Sequence, residues 1–136
     1  MSTYADTQSI KLLENEFEEL DKEMKVTISD WQGSYVNGTW IPNEHGDSDK
    51  DFIILERLFK LYDRLTALFK KYKTIQDSNP ELGRLVRDNI YKLKVAVRRI
   101  EKGDFIFVDA PDKESFHTSW MKLHQSLIMF VKKVSG

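Results

Sequence analysis

Cysteine is absent from this chain, and proline nearly so, with three in 136 residues. Without thiols there is no disulfide framework, no thiol nucleophile and no Cys-ligated zinc or iron–sulfur centre. Glycine is also scarce, at six, and none of the six belongs to a Gly-rich phosphate loop or a nucleophile elbow. No apolar stretch approaches membrane-spanning length. The first residues, Met1-Ser2-Thr3-Tyr4-Ala5-Asp6, hold no basic region followed by an apolar run, so no signal peptide is expected. A soluble, cytoplasmic protein without a membrane partner is the expectation. Imidazoles are few as well. His117 and His124 are seven residues apart, about 10.5 Å along a helix, too far to share one metal unaided. Glu114-Ser115-Phe116-His117 is a single Glu-x-x-His, a motif that di-iron bundles use twice. Asp47-Ser48-Asp49-Lys50-Asp51 resembles the front of a calcium loop, but Phe52 stands where that loop needs Gly and Leu58 where it needs its closing Glu. No metal, no cofactor and no catalytic residue are therefore expected, and the chain does not read as an enzyme.

What is present is the material of a globular domain. Apolar residues make up 40% and charged residues 32%, with three Trp, five Tyr and eight Phe. One domain spanning 1–136 is large enough to bury its own core. The net charge of −1 conceals a strong segregation. Residues 1–51 hold twelve Asp/Glu against four Lys/Arg, a balance of −8, whereas 52–108 hold thirteen basic residues against seven acidic, a balance of +6. The last 28 residues carry four basic and three acidic groups.

Periodicity predicts an all-α fold, a four-helix bundle with a short β-hairpin or ordered loop inserted between the first two helices. Ile10, Leu13, Phe17, Leu20, Met24, Ile28 and Trp31 recur at spacings of three and four, which lines one face of a helix over about 6–29. Tyr35-Val36-Asn37-Gly38-Thr39-Trp40 then places Asn-Gly between β-branched and aromatic residues, the strongest short hairpin signal, and sets Tyr35 opposite Trp40. Ser48 reads as the N-cap of a second helix over about 50–75, whose apolar arc is wide enough for a central helix or for one that also meets another subunit. Asn79-Pro80-Glu81 opens a third helix that stops at Lys102-Gly103. Phe105-Ile106-Phe107-Val108 reads as extended or as a short buried strand, and Asp109-Ala110-Pro111-Asp112 as the start of a fourth helix carrying Phe116, Trp120, Leu123, Leu127, Phe130, Val131 and Val134.

Cations fall in rows on the two middle helices. Arg84, Arg87, Tyr91, Lys94 and Arg98 recur at three and four on the third helix, and Lys102 extends them. Arg57, Lys60, Arg64 and Lys71 share a face of the second, with Lys70 and Lys73 nearby. If these helices form an antiparallel hairpin, the rows lie side by side as a ridge on the order of 20 Å long. Such a ridge suits an RNA or DNA backbone, bound without base-reading motifs. The competing reading is a solvated surface neutralised by the acidic first helix, in a protein-only adaptor, chaperone or structural subunit. Because a two-stranded hairpin is marginal alone, the Tyr35 and Trp40 rings are expected to pack on the bundle; the alternative is an exposed tip that docks protein, with the second helix a route to self-association.

Three stretches resemble the small, all-helical subunit of type III CRISPR effector complexes. They are Leu55-Glu56-Arg57-Leu58-Phe59-Lys60-Leu61-Tyr62, Asn89-Ile90-Tyr91-Lys92-Leu93-Lys94-Val95, and the C-terminal run from Phe116 to Lys132. The similarity lies in helix pattern and order and covers about half the chain. It implies a non-catalytic subunit of an antiviral nucleoprotein complex, gripping a guide–target duplex by its backbone beside other protein subunits. The acidic first helix and the segment 31–42 have no counterpart in that pattern.

Overall fold

The computed structural model describes residues 4–136, with side chains from Asp6 onward. It is mostly helical. Helix α1 spans Tyr4–Gln32, strands β1 (Gly33–Val36) and β2 (Thr39–Pro42) form a hairpin, and α2 (Ser48–Lys71) is followed by the short α3 (Lys73–Ser78). Helix α4 (Pro80–Glu101), a single 3₁₀ turn at Phe105–Phe107 and α5 (Phe116–Ser135) complete the chain. No helix among the described residues is long and apolar enough to cross a membrane.

All seven apolar residues that mark the inner stripe of α1 are buried. Helix α1 lies along α2 on one side and α5 on the other, while α4 pairs with α5. The wide arc of α2 is consumed within the chain, because Ile54, Leu55, Leu58, Leu61, Leu65, Leu68 and Phe69 are all buried. The centre of the core is aromatic: Phe17 of α1 stacks on Trp120 of α5 at 5.4 Å, and Trp120 on Phe116 at 5.8 Å. Trp120 Nε1 donates to the buried Asp21 carboxylate at 3.0 Å, so the largest fully buried side chain also satisfies its one donor.

The hairpin forms as its sequence demands. Asn37 and Gly38 adopt φ of +50° and +79°, the pair of left-handed residues that a two-residue turn between twisted strands requires. Tyr35 pairs with Trp40 in the antiparallel register, and their rings meet edge to face at 5.2 Å. Gly33 is needed for close approach: a Cβ there would stand 2.4 Å from the Ile41 carbonyl oxygen and 2.7 Å from the Trp40 ring. Below the hairpin the loop is pinned by buried Asp51, which accepts from Asn43 Nδ2 at 2.9 Å and holds His45 Nδ1 at 2.8 Å.

Four boundaries differ from expectation. Helix α1 runs to Gln32, feeding directly into β1. The cap of α2 is Asp47, whose carboxylate accepts from the amides of Asp49 and Lys50, so Ser48 is the first helical residue. That helix breaks at Tyr72, where Gln76 Nε2 takes the Phe69 carbonyl at 2.6 Å and α3 turns toward α4. Gly83 admits this turn, since a Cβ on it would come within 2.9 Å of the Gln76 carbonyl oxygen. Finally, Phe105–Phe107 is a 3₁₀ turn rather than an extended segment, and α5 begins only at Phe116. Ser115 and Thr118 form a reciprocal capping box there, which outcompetes the Asp-Ala-Pro-Asp start. Asn79, Pro80 and Gly103 (φ +89°) bound α4 as expected.

Candidate nucleic-acid interface

The two cation rows diverge in space. On α2, Arg57 donates to Asp30 at 2.8 Å and to Thr27 Oγ1 at 3.3 Å; Arg64 pairs with Glu23 at 2.7 Å and Lys71 with Glu16 at 2.8 Å. Lys60 opens on the same side, in a shallow groove shared with Lys22 and Glu23. The row therefore faces acidic α1. Each pair is about half exposed and contributes on the order of 0–1 kcal/mol, so its consequence is neutralised charge more than stability.

On α4 the arrangement differs. At 100° per residue, Arg84, Arg87, Tyr91, Lys94, Arg98 and Lys102 occupy an arc of roughly 80°, centred about 130° around the helix from the buried stripe of Leu82, Val86, Leu93, Val97 and Ile100. The row runs roughly 27 Å along the helix. All six residues are exposed, and among the described residues no carboxylate lies within ion-pair distance of the five cations. Tyr91 projects with two thirds of its surface in solvent. Neighbouring α4 cations outside the arc are engaged, Lys92 with Glu114 at 3.6 Å and Arg99 with Asp104 at 4.0 Å. Arg98 reaches toward α2. It partly offsets the upward push that burial, and then Asp63, place on the Tyr62 hydroxyl.

Helices α2 and α4 do not bring their rows together. Between them lies a groove of about 480 Å³, bordered by Lys70 and Lys73 on the α2–α3 side and by Arg87 and Tyr91 on the α4 side. The break at Tyr72 that creates this groove has no signal in the sequence apart from the Gln76 amide that caps the broken end.

Glu18, Asp21 and His124 bring one potential metal-ligand atom each within 4.8 Å of one another. Both imidazole nitrogens are already committed, Nε2 to Glu18 at 2.6 Å and Nδ1 toward Asp21 at 3.5 Å, while Asp21 also binds Trp120 and Lys25. The cluster works as a clamp between α1 and α5. His117 of the Glu114-x-x-His117 motif lies outside this cluster; it is half-buried, and desolvation holds its pKa below the ordinary imidazole value. At the hairpin end, residues 31–43 contain no charge, and Tyr35, Trp40, Ile41, Phe52, Ile53, Phe105 and Ile106 are exposed. Trp31 links that end together, touching His45 at 4.4 Å and Phe105 at 6.0 Å.

The chain matches no protein-family model, no curated protein and no solved structure.

Proposed function

We propose that this protein is a non-catalytic subunit, a four-helix bundle with an inserted hairpin, that binds the backbone of RNA or DNA through the outer face of α4. The supporting observation is the contrast between the two rows: α1 pairs with Arg57, Arg64 and Lys71 of α2, whereas Arg84, Arg87, Lys94, Arg98 and Lys102 have no carboxylate within ion-pair distance among the described residues. Phosphate affinity of this kind arises from counterion release and needs no base-reading motif. The resemblance to the small subunit of type III CRISPR complexes suggests a cytoplasmic nucleoprotein assembly as its setting.

Fluorescence anisotropy with labelled single-stranded and duplex oligonucleotides, between about 50 and 200 mM salt, tests the reading. If all five cations meet phosphates, log affinity for a single strand falls against log salt with a slope of about −3 to −4. Arg84→Glu, Arg87→Glu and Arg98→Glu together abolish that binding. Absence of binding at low salt, or indifference to the triple change, refutes it.

A second reading rests on the uncharged, aromatic hairpin end: a protein-only adaptor, chaperone or structural subunit that docks a partner through Tyr35 and Trp40. Light scattering over a concentration series reads self-association, and Tyr35→Ser with Trp40→Ser should abolish it if this end carries it.

A further inference from the structure

The cationic face of α4 continues into the groove beside it. Arg87 and Tyr91 belong both to the exposed row and to the groove wall, and Lys70 and Lys73 face them from the end of α2 and from α3. The floor is hydrocarbon: Phe69 and Val86 are buried beneath it and Ile90 is half-buried. Thr66 and Gln76 also line it; their donors go to the Asp63 carbonyl and to the Phe69 and Tyr72 carbonyls, which leaves their oxygens as acceptors. Lys73 is shared with Asp77 at 3.1 Å, whereas Lys70 and Arg87 have no carboxylate partner among the described residues.

A phosphate backbone gains nothing from an apolar floor, because its oxygens are better solvated by water than by hydrocarbon. An unpaired nucleobase does gain. Its flat face is apolar and stacks on an aromatic ring, and its edges carry donors and acceptors for groups at the rim. In a duplex those faces and edges are already occupied by neighbouring bases. Tyr91, two thirds exposed and set between Arg87 and Lys94, is placed to receive such a face. The volume falls within the range of preformed small-molecule sites, which run about 300–1,000 Å³.

We infer that the groove accepts an unpaired base from a single strand whose phosphates follow α4, so that the protein prefers single-stranded nucleic acid to duplex. This rests on the backbone reading of α4, and the experiment separates the two. Oligo(dT) and oligo(U) are each titrated by anisotropy against an abasic strand of the same length and sugar, and against a duplex. The base-bearing strand should bind about tenfold more tightly than its abasic counterpart in the DNA arm, the RNA arm or both. Tyr91→Ala should remove the difference between base-bearing and abasic strands, and Tyr91→Phe, which keeps the ring, should retain it. Far-UV circular dichroism checks that both variants remain helical. Equal binding of base-bearing and abasic strands, or a duplex bound as tightly as the single strand, overturns the inference while the backbone reading stands. If no strand binds at low salt, both fall.

Discussion

Tyr72 is the residue at which three elements are tied. It ends α2, its hydroxyl donates to Glu16 on α1, and Lys71 beside it donates to the other oxygen of the same carboxylate at 2.8 Å. Burial first, and then the hydrogen bond to Glu16, push the Tyr72 phenol up to about 12. The Lys71 and Tyr72 donors in turn hold the Glu16 carboxyl below its usual range. The folded state thus favours protonated Tyr72, and that stabilisation is complete below the ordinary phenol value near 10 and lost as pH rises toward 12. For Glu16 the sign is opposite: its contribution is complete above about 4.5 and lost as pH falls through the lowered value. Urea denaturation of wild type and Tyr72→Phe should show a constant gap of about 1 kcal/mol from pH 5 to 9, closing above about pH 10. A second test concerns the core. Trp120→Phe keeps most of the volume but leaves Asp21, only 2% exposed, without its indole donor, and should cost about 1–3 kcal/mol in the same assay.

At the level of elements, legibility followed locality. The inner stripe of α1, the Asn37-Gly38 turn, the Asn79-Pro80 cap and the Gly103 stop are written within a few residues of where they act, and each occurs where the sequence places it. The break at Tyr72 was hidden because its causes are Glu16, 56 positions away, and the close crossing of α3 over Gly83. The late start of α5 was obscured by Asp109 and Asp112, which resemble a cap but lose to the Ser115–Thr118 box. The direction of the α2 cations was equally hidden, since periodicity shows that they share a face and not which helix lies opposite. The His124 clamp joins residues 106 and 103 positions apart and has no local signature. For the hairpin, close packing makes a sharp expectation. Gly33→Ala forces a methyl into the Trp40 ring and the Ile41 carbonyl, and should displace the indole at a cost of roughly 1–3 kcal/mol. Near-UV circular dichroism of the Tyr35–Trp40 pair would report the displacement, with the helical far-UV signal retained.

Across the whole molecule, charge segregation along the chain becomes segregation in space. The acidic first third folds back on α2 and pairs with Arg57, Arg64 and Lys71, so most cations of the basic middle third that lack a described carboxylate partner lie along α4. This geometry predicts a double dissociation between two triple reversals of equal formal charge. Arg57→Glu, Arg64→Glu and Lys71→Glu replace three attractive contacts with α1 by three repulsive ones, and should lower the melting temperature by several degrees, at roughly 4–8 °C per kcal/mol for a domain of up to about 100 residues and less for a longer one. Their effect on oligonucleotide affinity should be limited to the change in net charge, and so largely removed by moderate salt. Arg84→Glu, Arg87→Glu and Arg98→Glu break no ion pair among the described residues and should leave the melting temperature nearly unchanged, while binding is lost at every salt concentration. Paired thermal melts and anisotropy titrations decide the matter. If the α2 reversal weakens binding as much as the α4 reversal at matched salt, the polyanion follows both rows, and the pairs with α1 open to admit it.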